Sequence, residues 1–225
     1  MINISLPQGA AIDDEGVYTQ VLSHPSGSLK RPALFLDRDG VVVVEAHYLH
    51  KVEDAKLIPG AARIIALATR ADIPVILITN QAGIGYGYFG WNEFILVQDK
   101  ILSDLSREGA SVSGVFACPH HARGKPPYNH PDHPARKPNP GMLLKAAEMM
   151  SIDLPASWVV GDRAIDMEAG RNAGLSGGLH VLTGHGSREG ERDAALAMAG
   201  KEFTVHTGES INDADRMLPI FASLT

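Results

Sequence analysis

Two carboxylates separated by one residue, Asp37 and Asp39, follow an apolar run in the stretch FLDRDGV (35–41), and a glycine comes next. Charged groups at the end of a buried strand are costly unless a nearby group uses them. Three further stretches carry polar side chains of related types, namely LITNQAGIG (77–85), RKPNPGM (136–142) and VVGDRAIDMEAG (159–170). Their candidate functional residues are Thr79, Asn80, Arg136, Lys137, Asp162 and Arg163.

This combination of acids and cations suits a phosphate ester and a hard divalent cation. Magnesium prefers oxygen ligands and commonly bridges to a phosphate. One carboxylate could attack phosphorus and form an aspartyl-phosphate, while a second protonates the departing oxygen and later activates water. Asp37 must stay ionised for that attack, whereas the acid needs a pKa above the usual ~3.9. Lys137 is suited to balancing the charge of the transferred phosphoryl group.

The elements that must position these residues alternate between strand and helix. Continuous apolar runs predict buried strands, and apolar residues at helical spacing predict helices between them. The predicted strands cover residues 33–36, 75–79, 112–117, 158–162, 178–182 and 203–206, and the clearest helices cover 60–71, 92–109 and the segment MLLKAAEMMS. This order predicts an α/β fold with a mostly parallel sheet covered on both faces, a three-layer α/β/α sandwich.

The same pattern predicts one domain over residues 31–225, with a loop insert at about 118–136, after an N-terminal extension at 1–30 that lacks strong periodicity. The stretches between motifs are short, so we expect no large cap domain. Ligands of open α/β sheets bind beyond the carboxyl ends of the strands. We therefore expect the polar clusters after the strands to face one crevice.

Composition narrows the classes of partner. The net charge of -6 gives no electrostatic reason to expect nucleic acid or an anionic membrane as partner. The lone cysteine, Cys118, excludes an internal disulfide and is typical of a reducing compartment. The first residues lack the basic region of a signal peptide, and no apolar segment is long enough to span a bilayer. We expect a cytoplasmic protein, a monomer or weak oligomer, acting on a small molecule.

The four stretches, taken in order, resemble the motifs of the haloacid dehalogenase superfamily. The resemblance covers roughly residues 33–182 and is fuller for the small-cap branch that contains heptose-bisphosphate 7-phosphatases and histidinol-phosphate phosphatases. It implies a Rossmann-like fold, magnesium as cofactor and phosphatase chemistry through an aspartyl-phosphate. A heptose 1,7-bisphosphate is the leading substrate, with histidinol phosphate or another small phosphate as the alternative.

The resemblance also implies roles for single residues. Asp37 corresponds to the nucleophile and a magnesium ligand, Asp39 to the general acid/base with its backbone carbonyl on the metal, and Asp162 to the other magnesium ligand. Asp166, one turn further on, is expected outside the primary metal set. The residues expected to contact the substrate or its phosphoryl group are Thr79, Asn80, Arg136, Lys137 and Arg163, the last standing where the branch usually has lysine.

Two stretches depart from the branch. Its zinc loop has Cys-x-His followed by Cys-x-Cys, whereas here His133 and Ala135 occupy the two later cysteine positions. Cys118, His120 and His133 could supply three zinc ligands, with His130 or His121 as a fourth, but a solvated, histidine-rich loop is the alternative. Tyr86 stands where the branch usually has an arginine, so a distal phosphate is held differently or is absent.

Two other classes of function remain open at this point. A non-catalytic scaffold could keep the fold, but such a protein would be expected to have lost some of Asp37, Asp39, Lys137 and Asp162, and all four are present. Phosphoryl transfer to an acceptor other than water would need a cap that excludes water, and none is apparent.

Overall fold

Six parallel strands form the centre and one edge of an eight-stranded sheet in the computed structural model, which describes residues 5–24 and 29–224. The eight strands are β1 (Ala10–Ile12), β2 (Tyr18–Val21), β3 (Leu34–Leu36), β4 (Val75–Asn80), β5 (Gly114–Cys118), β6 (Trp158–Gly161), β7 (Gly177–Val181) and β8 (Thr204–Gly208). The order of the eight across the sheet is β1-β2-β5-β4-β3-β6-β7-β8, and only the β1–β2 and β2–β5 pairs are antiparallel.

Helices cover both faces of the sheet. Since successive residues of each central strand point to opposite sides, these strands contribute side chains to two separate cores. The helices are α1 (Ala61–Arg70), α2 (Ala82–Tyr86), α3 (Trp91–Arg107), α4 (Gly141–Met150), α5 (Ala164–Asn172), α6 (Glu191–Leu196) and α7 (Ala214–Met217). Leu34 and Leu36 join the core under α1 and α3, whereas Phe35 joins the core under α4 and α5. Short 3₁₀ turns lie at Val52–Asp54, Leu154–Ala156, Ile211–Asp213 and Pro219–Leu224. The predicted three-layer α/β/α fold is confirmed.

The N-terminal segment contributes two strands that the sequence analysis did not predict. β1 and β2 form a hairpin, and β2 pairs with the outer side of β5, with Tyr18 opposite Ala117. The Tyr18 ring stacks on Trp91 of α3 at 5.6 Å between centroids. Residues 1–4 and 25–28 of the predicted extension lie outside the described residues. Strands of three and four residues are too short to show a period-two pattern, which explains why they were missed.

Two long connections lie at the carboxyl edge of the parallel strands. Residues 37–60 join β3 to α1, and residues 119–140 join β5 to α4. Within the described residues neither connection builds a separate domain over the edge, in agreement with the prediction of no large cap. The longest described helix, α3, has 17 residues, and none in the described part is long and apolar enough to cross a membrane.

One buried hydroxyl fixes the start of β3 against the loop before β6. Ser157 is fully buried, and its Oγ accepts the amide of Ala33 at 2.9 Å and donates to the carbonyl of Asp153 at 2.6 Å. We expect Ser157→Ala to lower the Tm by roughly 3–8 °C, since an unsatisfied buried amide costs about 1–3 kcal/mol. Thermal unfolding followed by circular dichroism would measure it. Ser106→Ala on the exposed face of α3 is the control, and equal Tm values for the two variants would contradict this account.

Candidate active site

The side chain of Lys137 lies at the centre of the carboxyl edge, almost fully buried. Its Nζ is 2.9 Å from Asp37 Oδ1 and 2.6 Å from Asp166 Oδ1, and it donates to the carbonyl of Ile78 at 3.0 Å. Burial alone would lower the pKa of Lys137, but the two adjacent carboxylates outweigh that effect and raise it. Lys137 is therefore a fixed positive charge beside the predicted nucleophile.

Three buried carboxylates crowd around this lysine. Oxygens of Asp37, Asp162 and Asp166 lie within 4.8 Å of one another. Burial, reinforced by the neighbouring acids, raises the pKa of Asp37 and of Asp162. One ammonium group cannot neutralise three acids, so a second cation is electrostatically favoured here.

Asp162 presents one free oxygen to this cluster. Its Oδ2 accepts the backbone amide of His185 at 2.6 Å, while its Oδ1 is buried without a hydrogen-bond partner. Gly40 and Gly184 both have positive φ, and a Cβ on either would come within 2.3 Å of Asp162 Oδ2. The glycine after the Asp37–Asp39 pair thus lets the backbone pass close to Asp162. An orphaned carboxylate oxygen beside Asp37 fits a hard divalent cation such as magnesium.

Asp166 lies inside this cluster, fully buried, although its contacts are with protein groups. Its Oδ2 accepts the backbone amide of Arg163 at the start of α5 at 3.0 Å, and its Oδ1 faces the Lys137 ammonium. Apart from this ion pair, Asp166 Oδ1 has no hydrogen-bond partner, and Asp166 belongs to the same carboxylate cluster as Asp37 and Asp162. Its place outside the primary metal set stays a prediction. Its role in this geometry is to hold Lys137.

Asp39 turns away from Lys137 and meets a different set of groups. Its carboxylate pairs with the guanidinium of Arg38 at 2.8 Å and accepts from Gln81 Nε2 at 3.1 Å. Arg38 is fully buried, with its guanidinium carbon 5.3 Å from the ring centroid of Phe94. The two aspartates of the first motif thus lie in different environments, but not in the expected sense: burial raises the pKa of the predicted nucleophile Asp37, whereas Asp39 is paired with an arginine. A cation bound beside Asp37 would favour its ionised form.

The end of β4 supports Asp39 and the loop that carries Lys137. Thr79 Oγ1 accepts from Gln81 Nε2 at 2.9 Å and is 3.5 Å from Asp39 Oδ2. Asn80 binds the backbone of Lys137 twice, accepting its amide at 3.1 Å and donating to its carbonyl at 3.0 Å. In this arrangement the amide of Asn80 fixes the Lys137 loop.

These residues form the inner end of a cleft of about 430 Å³. The outer part of the cleft is basic and aromatic, with contributions from three loops and from α2. The side chains lining that part include Tyr48, Tyr86, His121, Arg123, Arg136, Arg163, His185 and Arg188. The sequence analysis did not single out Arg123, His185, Arg188 or Gln81 as site residues. An isolated arginine or histidine in a loop carries no spacing signal, so only the fold reveals its position.

The histidine-rich loop packs beside this cleft. The rings of His120 and His133 stack face to face at 3.8 Å with 6° between their planes. Cys118 Sγ is 3.9 Å from His133 Nδ1, and that nitrogen also accepts the amide of Ala135 at 3.1 Å. Among the described residues, only the Asp37–Asp162–Asp166 cluster brings three potential metal-binding side chains together. His120 Nδ1 is buried without a hydrogen-bond partner, and zinc binding at this loop stays a prediction.

Comparison with known proteins agrees with this geometry. A family model described as HAD-hydrolase-like matches residues 134–207. The D-glycero-beta-D-manno-heptose-1,7-bisphosphate 7-phosphatase of Mesorhizobium japonicum is 48% identical over 150 residues, which cover 67% of this chain and 69% of that protein. The chain belongs to the haloacid dehalogenase superfamily, in its heptose-bisphosphate phosphatase branch.

Two further relatives refine this assignment. The D-glycero-alpha-D-manno-heptose-1,7-bisphosphate 7-phosphatase of Photorhabdus laumondii is 40% identical over 167 residues, covering 72% of this chain and 89% of that protein. The crystal structure of a D,D-heptose 1,7-bisphosphate phosphatase from B. bronchiseptica, complexed with magnesium and phosphate, superposes with a TM-score of 0.69 at 30% identity. It covers 82% of this chain and 96% of the other. The protein is a phosphatase, and magnesium is the metal of its superfamily.

The crowding of carboxylates predicts an effect on the stability of this phosphatase without metal. Because the pKa of Asp162 is raised in the folded state, ionising this carboxyl destabilises the fold. The free energy of unfolding therefore falls as pH rises above the ordinary aspartate value of about 4. We expect Asp162→Asn to raise the Tm in EDTA at pH 8 by a few degrees, about 1 kcal/mol, and by less near pH 4. Differential scanning calorimetry at both pH values would measure the change.

The matched control is Glu148→Gln, which removes an exposed carboxylate from α4 and should leave the Tm unchanged at both pH values. Added magnesium should raise the Tm of the parent protein and have no effect on Asp162→Asn. A Tm of Asp162→Asn in EDTA at pH 8 below that of the parent would show that the three carboxylates are not mutually destabilising.

Proposed function

We propose that this protein is a magnesium-dependent phosphatase that removes the 7-phosphate of D-glycero-D-manno-heptose 1,7-bisphosphate through an aspartyl-phosphate on Asp37. The observation that carries the proposal is the buried Asp37–Lys137–Asp162 cluster at the inner end of a cleft with an arginine-rich outer part. The names of the relatives support the substrate, and they include both the alpha and the beta anomer. The acid set is complete, which favours an enzyme over a scaffold.

In the first step, an oxygen of Asp37 attacks phosphorus, the bond from phosphorus to the sugar oxygen breaks, and Asp39 gives its proton to that oxygen. The ion pair between Lys137 Nζ and Asp37 Oδ1, at 2.9 Å, places the ammonium charge next to the position that the phosphoryl oxygens would take. Asn80 and Asp166 hold the lysine there, so its charge needs no rearrangement during the reaction.

In the second step, water attacks phosphorus of the aspartyl-phosphate while Asp39 takes the proton of that water. The bond from phosphorus to Asp37 breaks, which releases inorganic phosphate and restores the carboxylate of Asp37 and the protonated form of Asp39. Arg38 and Gln81 hold Asp39 at the cleft wall, so the same group is available as acid and then as base. Asp39 is only partly exposed, which limits the number of waters that reach it.

Magnesium, bound by Asp37, Asp162 and the backbone carbonyl of Asp39, would supply positive charge that offsets repulsion between the nucleophile and the phosphoryl oxygens. The free Oδ1 of Asp162 and the raised pKa of both carboxylates support these ligands.

The outer part of the cleft can bind the second phosphate. Arg136 donates one guanidinium hydrogen bond to the carbonyl of His120 at 2.8 Å, which leaves its other donors available to a ligand. Arg123 is exposed and lines the same cleft. These arginines can replace the cation that the branch has at the position of Tyr86. A cleft that is acidic at one end and basic at the other suits a bisphosphate better than a monophosphate.

A second candidate substrate is histidinol phosphate. Tyr86 lies edge-on to His121 at 5.0 Å and to Tyr48 at 5.9 Å, and this aromatic group could enclose an imidazole ring. Glu45 lines the same cleft and could pair with an amine. The two substrates therefore make different demands on the outer part of the cleft.

The decisive experiment is phosphate release from both anomers of heptose 1,7-bisphosphate and from histidinol phosphate, with magnesium or with EDTA. We expect magnesium-dependent turnover of a heptose bisphosphate, and Asp37→Asn should reduce it at least 1,000-fold because the nucleophile is lost. Asp104→Asn, a change in an acid on α3 remote from the cleft, is the matched control. Turnover that survives Asp37→Asn would show that the nucleophile is wrongly assigned.

The second phosphate gives a separate prediction. Arg123→Ala should raise the KM for the bisphosphate roughly fivefold to tenfold, because a charge-assisted contact is lost. It should leave kcat/KM for p-nitrophenyl phosphate unchanged, since that substrate has one phosphate. Initial-rate kinetics would measure both, with Arg171→Ala at the far end of α5 as the control. Equal effects on the two substrates would argue against a distal phosphate at Arg123.

A further inference from the structure

Arginine side chains line the cleft on both sides of Asp37. Asp37 directly follows β3, and the strand order β5-β4-β3-β6-β7 places β5 and β7 two strands away from β3 in opposite directions. Neighbouring strands lie about 4.8 Å apart, so each of these two strands is roughly 10 Å from β3. Arg123 belongs to the connection after β5, and Arg188 to the connection after β7. The outer part of the cleft therefore has two cationic walls, the first formed by Arg123 and Arg136, the second by Arg163, His185 and Arg188.

The backbone that carries the second wall is fixed to the inner end of the site. The amide of His185 donates to Asp162 Oδ2 at 2.6 Å, and Thr183 Oγ1 donates to the carbonyl of Gly40 at 2.5 Å. The amide of Arg188 in turn donates to the carbonyl of His185 at 3.0 Å. The side chain of Arg188 is exposed, but it extends from a turn that these bonds hold in place. A ligand at this wall meets a preformed backbone, which lowers the cost of binding.

The two guanidinium groups of the second wall are poorly paired with carboxylates. Arg163 Nε is buried without a hydrogen-bond partner, and its ion pair with Glu191 Oε1 is long, at 3.9 Å. That oxygen already accepts the backbone amide of Ala164 at 2.7 Å. Arg188 forms no ion pair in the part of the chain that the structure describes. Guanidinium groups without a carboxylate partner are suited to binding an anionic ligand.

The outer part of the cleft carries an excess of positive charge. The arginines that line it are Arg123, Arg136, Arg163 and Arg188. Beyond the inner end, Glu45 is the one acid among the described residues that line the cleft, and its Oε1 accepts the amide of His47 at 2.8 Å. One carboxylate cannot compensate four guanidinium groups, so positive charge is available to a ligand on both walls.

A sugar bisphosphate can use the two walls differently in its two anomers. With the 7-phosphate at Asp37, the 1-phosphate lies at the opposite end of the sugar and reaches the outer part of the cleft. In the chair form of a manno-configured pyranose, the 1-phosphate is axial in the alpha anomer and equatorial in the beta anomer. A ring bound in one orientation therefore directs the 1-phosphates of the two anomers to different parts of the cleft.

We propose that each wall binds the 1-phosphate of a different anomer, and that Arg188 and Arg163 bind the anomer whose 1-phosphate points away from Arg123. Arg188 is then a specificity-determining residue, because a bidentate contact from its guanidinium group stabilises one anomer and not the other. The inference rests on the proposed function, since it takes heptose 1,7-bisphosphate as the substrate. It gives the enzyme activity on both anomers through one reactive centre.

The test is the ratio of kcat/KM for the alpha anomer to kcat/KM for the beta anomer. We expect Arg188→Ala to change this ratio roughly fivefold or more, and Arg123→Ala to change it in the opposite direction, because each variant loses a charge-assisted contact with one anomer. Arg188→Lys should change it less, since an ammonium group keeps the charge but not the bidentate geometry. Arg171→Ala, which removes an exposed cation at the far end of α5, is the matched control.

Three results would overturn the inference. The ratio could stay unchanged in Arg188→Ala, or it could move in the same direction in both alanine variants. The parent enzyme could also turn over one anomer only, which would leave one wall without a ligand. An equal fall of kcat/KM for both anomers and for p-nitrophenyl phosphate in Arg188→Ala belongs to the first case, and it would show that the variant disturbs the inner end of the site.

Failure of the proposed function gives a different result. If the parent enzyme hydrolyses p-nitrophenyl phosphate but neither heptose anomer, the proposed substrate fails. The walls are then tested by inhibition of p-nitrophenyl phosphate hydrolysis with the alpha and beta anomers of glucose 1,6-bisphosphate. A higher inhibition constant for one anomer in Arg188→Ala, and for the other anomer in Arg123→Ala, would support the two walls. Any other pattern, including no inhibition, would overturn them.

Discussion

The ammonium group of Lys137 between Asp37 and Asp166 is the interaction on which the site depends. Three carboxylates cannot share a buried volume unless positive charge lies among them, and Lys137 supplies one charge from a loop that β4 fixes. The negative charge that Lys137 leaves uncompensated favours the binding of a further cation. The fold thus tolerates an electrostatic cost at the edge of its sheet, and that cost is what prepares the site for metal and phosphate.

The central architecture and the inner end of the site could be predicted from the sequence because both leave regular marks on it. Buried parallel strands appear as apolar runs, and each of Asp37, Thr79 and Asp162 lies at or just after such a run. The relatives confirm the superfamily and the phosphatase chemistry. The roles assigned to single residues remain predictions that rest on geometry.

The hairpin and the outer part of the cleft could not be predicted, for physical reasons. β2, and through it β1, is held by the pairing of β2 with β5 and by the contact of Tyr18 with Trp91, which are long-range interactions with no local sequence signal. Arg123 and Arg188 belong to loops whose course is set by the whole fold. The candidate zinc ligands form a sequence pattern with two altered positions. Whether they bind zinc stays a prediction, because a sequence does not show the directions in which the ligand atoms point.

The double hydrogen bond between Asn80 and the backbone of Lys137 has an evolutionary consequence. The lysine takes its position from a central strand and not from the loop that precedes it in the chain. Residues 119–135 can therefore lengthen, shorten or exchange their residues while the reactive centre stays unchanged. Such independence would let this scaffold acquire new substrates by drift in one loop, without losing its chemistry on the way.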